Sequence, residues 1–206
     1  PILRDCAEAG VLGVLCEKPM APTWGDALEM AEIARENDIV LNFCHQRRFN
    51  PGVIKARELI EAGTFGAIQR IEHFSPTNAL DCGCHSLDFG FMFNGENPVQ
   101  WVMGQVEPGK VPEWFGVRFA EHTMALFRYE NGVFGTLESG GDREMGTGVR
   151  VICEDGLLEV TWNGDLQRAV VFSDSTWQAP EVGEPAGLEP TADALITSME
   201  TGEQSE

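Results

Sequence analysis

This sequence contains few basic side chains and no long apolar run. Its 206 residues include 14 lysines and arginines against 33 aspartates and glutamates, a formal net charge of −19 at pH 7. A surface this acidic repels nucleic-acid phosphates and anionic lipid headgroups, so neither partner is expected. No stretch approaches the roughly 20 apolar residues that cross a bilayer, and no signal-peptide pattern opens the chain. These absences predict a soluble, cytoplasmic protein.

A disulfide framework and a metal-ligand pattern are also missing. The cysteines are scattered and lie mostly in apolar runs, which is typical of buried thiols in a reducing compartment. Cys82, Cys84 and His85 are close in sequence, but no second, suitably spaced ligand pair accompanies them, so we expect no metal. The six cysteines are Cys6, Cys16, Cys44, Cys82, Cys84 and Cys153.

The glycine-rich fingerprint of dinucleotide binding, Gly-x-Gly-x-x-Gly, does not occur either. The turn that holds a pyrophosphate and the acidic residue that holds the adenosine ribose therefore cannot be assigned. The chain opens at Pro1 inside an apparent helix and closes with a polar tail after Gly202. We expect the sequence to be an internal piece of a longer protein.

The first part of the sequence, residues 1–44, has the pattern of a parallel α/β sheet. A helix over residues 3–9 leads to a buried strand at 11–16. Thr23 is a plausible N-cap for the next helix, and a second apolar run covers 39–44. A strand, helix and strand of this length form a right-handed crossover, so we expect the closing part of a Rossmann-type doubly wound sheet.

The remaining part, residues 45–206, is predicted to be a second domain of α+β type. After Pro51 a helix ends near Gly63, and short strands separated by turns follow. Asn131-Gly132 and Asp155-Gly156 predict tight hairpins, because their residues tolerate the positive φ angles of primed turns. Successive hairpins favour a large open antiparallel sheet with helices on one face. The predicted strands cover residues 67–74, 99–106, 122–129, 133–139, 149–153 and 157–162.

The first candidate for a catalytic or substrate-binding segment is Glu17-Lys18-Pro19, which follows the first buried strand. Ligands of open parallel sheets bind beyond the carboxyl ends of the strands, so the Lys18 ammonium is expected in a crevice there. A desolvated lysine can transfer a proton near neutral pH or hold a substrate hydroxyl. The alternative is a surface lysine paired with a carboxylate.

A second candidate is the segment with Asp81, His85 and Asp88 at positions i, i+4 and i+7. On a helix that begins near Asp81 and runs to Phe93, the three side chains share one face. An imidazole beside carboxylates is suited to proton transfer. The alternative is that Asp81 only caps the helix and His85 lies on its surface.

A third candidate is Arg47, which follows the second buried strand. Its guanidinium could reach a cofactor phosphate or ribose, or a substrate hydroxyl. It could equally cap or pair with the helix that follows. His73 and His122 fall in predicted strands and are interpreted as structural, and the tryptophans are interpreted as core residues.

Taken in order, these segments resemble the Gfo/Idh/MocA oxidoreductase family. The matching pieces are Glu17-Lys18-Pro19, the run from Arg47 to Pro51 with its helix, the stretch after Gly63, and Asp81-x-Gly83-x-His85-x-x-Asp88. The resemblance implies a Rossmann domain followed by a domain built on an open sheet. It also implies hydride transfer between NAD or NADP and a sugar, inositol or related polyol.

The resemblance further implies roles for single residues. Lys18, Asp81 and His85 would be catalytic and would bind substrate, with His85 as the acid or base and Asp81 supporting it. Asp88 would assist at the substrate site, and Glu17, Lys18, Pro19 and Arg47 would contact the cofactor. The sheet would form a homo-oligomer. Two alternatives stay open: a glycosidase-like relative that oxidises its substrate transiently, and a non-catalytic binding or oligomerisation module.

Overall fold

The computed structural model describes residues 2–107, 113, 117–141, 146–162, 169–172, 175–178 and 188–202. The chain divides into two compact units. The first contains the residues up to Gln46 together with helix α5 (Leu188–Thr201), and the second begins at Arg47. In the described ranges, no helix combines the length and the apolar character that crossing a membrane requires.

The first unit is built around a two-stranded parallel sheet. Its strands pair from Gly13 with Val40 to Cys16 with Phe43. The connecting helix is capped as predicted, because the Asp26 N–H donates to the Thr23 hydroxyl (3.2 Å). The predicted strand, helix and strand are therefore confirmed. The elements are α1 (Ile2–Glu8), β1 (Gly13–Cys16), α2 (Trp24–Glu36) and β2 (Val40–Phe43).

Helix α5 packs on this small sheet, although the sequence alone assigned it to the second domain. The helix approaches β1 so closely at Gly13 that a β-carbon there would overlap with the Met199 thioether. Ser198 is buried in the same contact. The last helix of the chain therefore completes the first unit.

The second unit places two helices against an eight-stranded sheet. The strand order across the sheet is β10-β9-β8-β7-β3-β6-β5-β4. The helices are α3 (Pro51–Glu61) and α4 (Cys84–Phe93). The strands are β3 (Ile68–Ser75), β4 (Val99–Glu107), β5 (His122–Tyr129), β6 (Phe134–Gly140), β7 (Thr147–Cys153), β8 (Leu157–Trp162), β9 (Ala169–Phe172) and β10 (Ser175–Gln178).

The predicted fold class, α/β followed by α+β, is confirmed, with one correction. Both predicted hairpins are present, and they join β5 to β6 and β7 to β8 in antiparallel pairs. The large sheet is mixed and not purely antiparallel, because β3 and β6 run parallel. The chain leaves β3, passes through α4, β4 and β5, and returns beside β3 in the same direction, which is a crossover and not a hairpin.

Alternating side chains give the large sheet two different faces. Along β3, Ile71, His73 and Ser75 are buried under the helices, and the residues between them point the other way. The core joins α3, α4 and the buried face of the sheet, and includes Val53, Ala56, Phe89, Ile71, Val149, Val151, Leu158 and Val160.

The other face of the sheet carries linked charges, and none of the helices in the described ranges packs on it. Glu72 pairs with Arg70 (2.8 Å) and with Arg150 (3.2 Å), and Arg150 pairs with Glu159 (2.6 Å). Next to this charged row, Met103 and Met124 are 64% and 53% exposed. We call this the open face.

His73 is structural, as predicted. Its ring is buried, its Nδ1–H donates to the Thr136 carbonyl (2.8 Å), and the Tyr129 hydroxyl lies 3.5 Å from Nε2. Burial lowers the pKa of His73 to about 4, although the Thr136 carbonyl opposes this shift. Gly90 of α4 is required opposite the ring, because a β-carbon there would overlap with the imidazole.

The buried His73 predicts a pH-dependent stability. The unfolded chain binds this proton below about pH 6.5 and the folded chain only near pH 4. Stability is therefore present above pH 6.5 and lost as the pH falls, by about 2 kcal/mol between pH 7 and pH 5. Urea unfolding of wild type and His73→Gln at both pH values measures this component. His122→Gln should keep most of the wild-type slope, and an unchanged slope in His73→Gln would contradict the assignment.

Candidate active site

In the first unit, Glu17, Lys18 and Pro19 lie directly after β1, at the carboxyl edge of the parallel sheet. Lys18 is half-buried and Glu17 is exposed, and the peptide bond between Lys18 and Pro19 is cis. Both charges act on Cys44 at the end of β2: burial and then Glu17 raise the pKa of its thiol, and Lys18 opposes them. The predicted group of residues is thus gathered at one edge.

In the second unit, Asp81 lies in a π-helical turn, Ala79–Gly83, that leads into α4. The side chain of Asn78 accepts hydrogen bonds from two N–H groups of the turn, including that of Asp81 (2.8 Å). The Thr77 hydroxyl accepts a third (3.2 Å). The expected regular α-helix from Asp81 is therefore wrong, because these caps hold a wider turn before α4 begins. Such turns inside or beside α-helices frequently occur at functional sites.

His85 is in the first turn of α4, and its side chain is 1% exposed. It is therefore not a surface residue of the helix. The next residue, Ser86, fixes this turn to the sheet: its hydroxyl donates to the Gly148 carbonyl and accepts from the Phe74 N–H (3.1 Å). No pattern in the sequence indicates this contact, since an isolated serine in a helix has many roles.

Asp88 is held by an arginine. Arg48 donates to both carboxylate oxygens of Asp88, at distances of 2.7 to 3.0 Å, and Glu96 contacts the same guanidinium (2.9 Å). Burial lowers the pKa of Arg48, but these hydrogen bonds and charges outweigh burial and raise it overall. The carboxylate of Asp88 therefore positions α4 through Arg48.

Arg47, the neighbour of Arg48, has a different environment. Its guanidinium stacks on the Trp162 ring, 3.9 Å from the centroid, and Nη2–H points at the Cys82 sulfur (4.0 Å). Among the described residues it forms no ion pair with a carboxylate, so it neither caps nor pairs with α3. The prediction that the tryptophans are core residues is wrong for Trp162, which is half-buried, and for Trp24 and Trp101, which are exposed, whereas Trp177 packs against the core.

Polar atoms without a hydrogen-bond partner gather where β3, β6 and β8 end. They are Nη1 of Arg47, Nε1 of Trp162 and the hydroxyl of Ser139, each shielded from water. Ser139 pairs with Ser75 in the sheet and lies beneath Gly83 of the π-helical turn. Buried polar atoms in folded proteins are usually paired, so an unpaired group of this kind marks a position that needs an explanation.

No group of three histidine, cysteine, aspartate or glutamate side chains in the described ranges is arranged to hold a metal ion. All six cysteines are free thiols. The candidate chemistry therefore rests on Lys18 in the first unit, and on Asp81, His85 and Arg47 in the second.

Comparison with known proteins gives one family model and several relatives. The model of the oxidoreductase family with an NAD-binding Rossmann fold, Gfo/Idh/MocA, matches residues 1–45. Inositol 2-dehydrogenase 2 of Paenarthrobacter aurescens is 29% identical over 200 residues, which cover 84% of this chain and 58% of that protein. The chain spans about half the length of the inositol dehydrogenases that it matches over most of its own length.

Solved structures match the fold of nearly the whole chain. The aldose-aldose oxidoreductase of Caulobacter crescentus, complexed with glycerol, has a TM-score of 0.81 at 20% identity and is matched over 100% of this chain and 67% of its own. An inositol dehydrogenase homologue of Azotobacter vinelandii, complexed with NADH and myo-inositol, has a TM-score of 0.76 at 20% identity, covering 98% of this chain and 64% of its own. Residues 1–45 thus match the Gfo/Idh/MocA oxidoreductase family model, and the chain as a whole shares the fold of these solved oxidoreductases.

The pairing of Arg48 with Asp88 predicts a difference between the two acidic partners of this arginine. Asp88→Asn should lower the free energy of unfolding by about 3 kcal/mol, because it leaves an arginine that is only 19% exposed without its main counter-charge. Glu96→Gln is the matched control, since Glu96 is 55% exposed and its loss should change stability by less than about 1 kcal/mol. Chemical denaturation measures both, and equal effects would contradict the assignment.

Proposed function

We propose that the protein is a NAD(P)-dependent oxidoreductase that transfers hydride between a nicotinamide and a hydroxyl-bearing carbon of a sugar, inositol or related polyol. The observation that carries this proposal is the π-helical turn, which delivers Asp81 and the enclosed His85 together at the start of α4. The match of residues 1–45 to the oxidoreductase family model and the names of the relatives, inositol and D-xylose dehydrogenases, support it. The division into a cofactor domain over residues 1–44 and a substrate domain over 45–206 stays a prediction.

We assign His85 as the group that accepts the hydroxyl proton of the substrate. When the substrate alcohol is oxidised, its hydroxyl proton passes to the imidazole while its carbon loses hydride. At 1% exposure the ring is shielded from bulk water, so a hydroxyl that reaches it exchanges its proton with the imidazole and not with solvent. Asp81 carries the acidic side chain on the preceding turn and supports the substrate or the imidazole.

We assign to Lys18 a contact with the substrate hydroxyl and a contact with the edge of the cofactor. The half-buried ammonium lies at the carboxyl edge of a parallel sheet, where ligands of such sheets bind. Its charge favours the alkoxide character that the oxygen gains as hydride leaves. Asp88 assists indirectly, because its carboxylate is occupied by Arg48 and holds α4 in place.

The donor and acceptor groups of the first unit suit a nicotinamide nucleotide. Lys18 offers a donor and Glu17 an acceptor at the same edge, which matches ribose hydroxyls and a carboxamide, and Pro19 completes the segment. When bound, the nucleotide supplies the hydride acceptor. The predicted contact of Arg47 with the cofactor, the choice between NAD and NADP, and a cytoplasmic location stay predictions.

The activity is tested with the protein that the complete reading frame encodes. With NAD+ or NADP+ and a panel of inositols, pentoses and hexoses, the absorbance of reduced nicotinamide should rise for at least one polyol. His85→Gln should lower kcat/KM by about a hundredfold or more, and His122→Gln, the same substitution on a strand of the large sheet, should not. No reduction with any polyol, or sugar release without net cofactor reduction, would overturn the proposal.

A homo-oligomer through the open face is the second part of the proposal. Arginines and glutamates alternate on this face, and Met103 and Met124 are exposed beside them, so two copies related by a twofold axis can present opposite charges to each other. Nucleic acid and anionic membrane surfaces are disfavoured as partners by the net charge of −19.

Light scattering after size exclusion tests the oligomer. The wild-type protein should have the mass of at least two copies, and Met124→Arg should shift it to the monomer because a buried charge at the centre of the interface is unpaired. Ile54→Arg is the control, since Ile54 is 44% exposed on α3, on the opposite side of the sheet. A monomeric wild type, or an unaffected Met124→Arg variant, would contradict the interface.

A further inference from the structure

Two adjacent arginines in the second unit have opposite surroundings. The guanidinium of Arg48 forms ion pairs with Asp88 and Glu96. Arg47 has only the Cys82 thiol as a polar contact among the described residues, at the 4.0 Å limit for sulfur. The sequence contains 33 acidic residues against 14 basic ones, yet no carboxylate within the described ranges forms an ion pair with Arg47. We take its guanidinium as a candidate to bind a group from outside the chain.

The Trp162 ring adds a second donor at the same place. The guanidinium stacks on this ring at 3.9 Å, and Nη1 of Arg47 and Nε1 of Trp162 both have no hydrogen-bond partner. These are two shielded N–H donors on stacked side chains, one of them a cation, with no oxygen acceptor among the described residues. Both residues are half-buried as a whole, so other parts of them reach solvent although these two nitrogen atoms do not.

The sheet explains why these two residues meet. In β8, Leu158 and Val160 are buried under the helices, and Trp162 follows on the same face by the alternation of the strand. Trp162 pairs with Thr147 at the edge where β3 also ends, below the π-helical turn. The donor pair is therefore next to the turn that carries Asp81, whose charge acts on Arg47.

We propose that Arg47 and Trp162 form an oxyanion subsite that binds the carboxylate of an acidic sugar, an aldonate or a uronate, while its hydroxyl is presented to His85. This inference rests on the proposed function. The shared chemistry is an anionic oxygen group, which a substrate carboxylate or a cofactor phosphate could supply. Two donors match the two oxygens of a planar carboxylate, and their position beside the π-helical turn favours the substrate as the source.

Calorimetry with the protein from the complete reading frame tests the subsite. The probes are D-glucuronate, D-glucose and NAD+, because the first two differ only in a carboxylate in place of a hydroxymethyl group. Wild type should bind D-glucuronate about tenfold more tightly than D-glucose, as expected for hydrogen bonds to a charged group. Arg47→Met should abolish this preference and leave the affinity for D-glucose within about twofold, since a neutral sugar lacks the anion.

Further variants separate the loss of an N–H donor from a general loss of folding. Trp162→Phe keeps a ring for stacking but removes Nε1–H, so it should lose part of the preference, and Arg47→Lys should retain part of it because the charge remains. Arg35→Met and Trp24→Phe are controls on exposed positions of α2 in the first unit and should behave as wild type. Thermal unfolding of each variant confirms that it is folded.

The outcomes separate the inference from the proposed function. Tight D-glucuronate binding that needs Arg47, without cofactor reduction by any sugar, would sustain the subsite and defeat the oxidoreductase proposal. Oxidation of neutral polyols with no preference for D-glucuronate would sustain the oxidoreductase proposal and defeat the subsite. If Arg47→Met weakens NAD+ and leaves D-glucuronate unchanged, the anion is a cofactor phosphate and the carboxylate assignment is wrong.

Discussion

The ion pair between Arg48 and Asp88 determines where α4 lies, and the polar groups of the second unit take their places from that position. Two nearly parallel hydrogen bonds to one carboxylate restrict both distance and angle, which a single contact does not. Both side chains are largely shielded from water, so the pair is geometrically specific. With α4 held at this point, Ser86 reaches two strands of the sheet and His85 is enclosed.

A consequence of this pairing is that neighbouring residues have separate tasks. Arg48 serves the fold and Arg47 is left with a thiol and an aromatic ring. In the π-helical turn, the side chains of Asn78 and Thr77 accept hydrogen bonds from backbone N–H groups, so the side chain of Asp81 is not needed as a cap. The caps of this turn therefore come from the loop that precedes it.

Local patterns in the sequence were sufficient for the parallel unit and for the hairpins. Thr23 caps α2, and Asn131-Gly132 forms the turn between β5 and β6, because both features depend on residues a few positions apart. The parallel pairing of β3 with β6 could not be predicted, since it depends on a crossover through three other elements. Strands β9 and β10 were also missed.

The candidate site was predictable as a set of residues and not as a geometry. Lys18 was predicted from its position after a buried strand, and Asp81 and His85 from their spacing. Neither signal can show that a wider turn precedes α4 or that His85 is enclosed. Nor can it distinguish Arg47 from Arg48, which differ only in what the folded chain places around them. The stack of Arg47 on Trp162 joins residues far apart in sequence, so it had no local signal.

We propose that a substrate hydroxyl gives up its proton at the start of α4. A crystal structure of the protein from the complete reading frame, with reduced cofactor and a polyol that it turns over, tests this proposal. We expect a substrate hydroxyl at about 3 Å from an imidazole nitrogen of His85, on the carbon that faces the nicotinamide. A polyol bound away from Asp81 and His85, with the imidazole still enclosed by protein atoms alone, would contradict it.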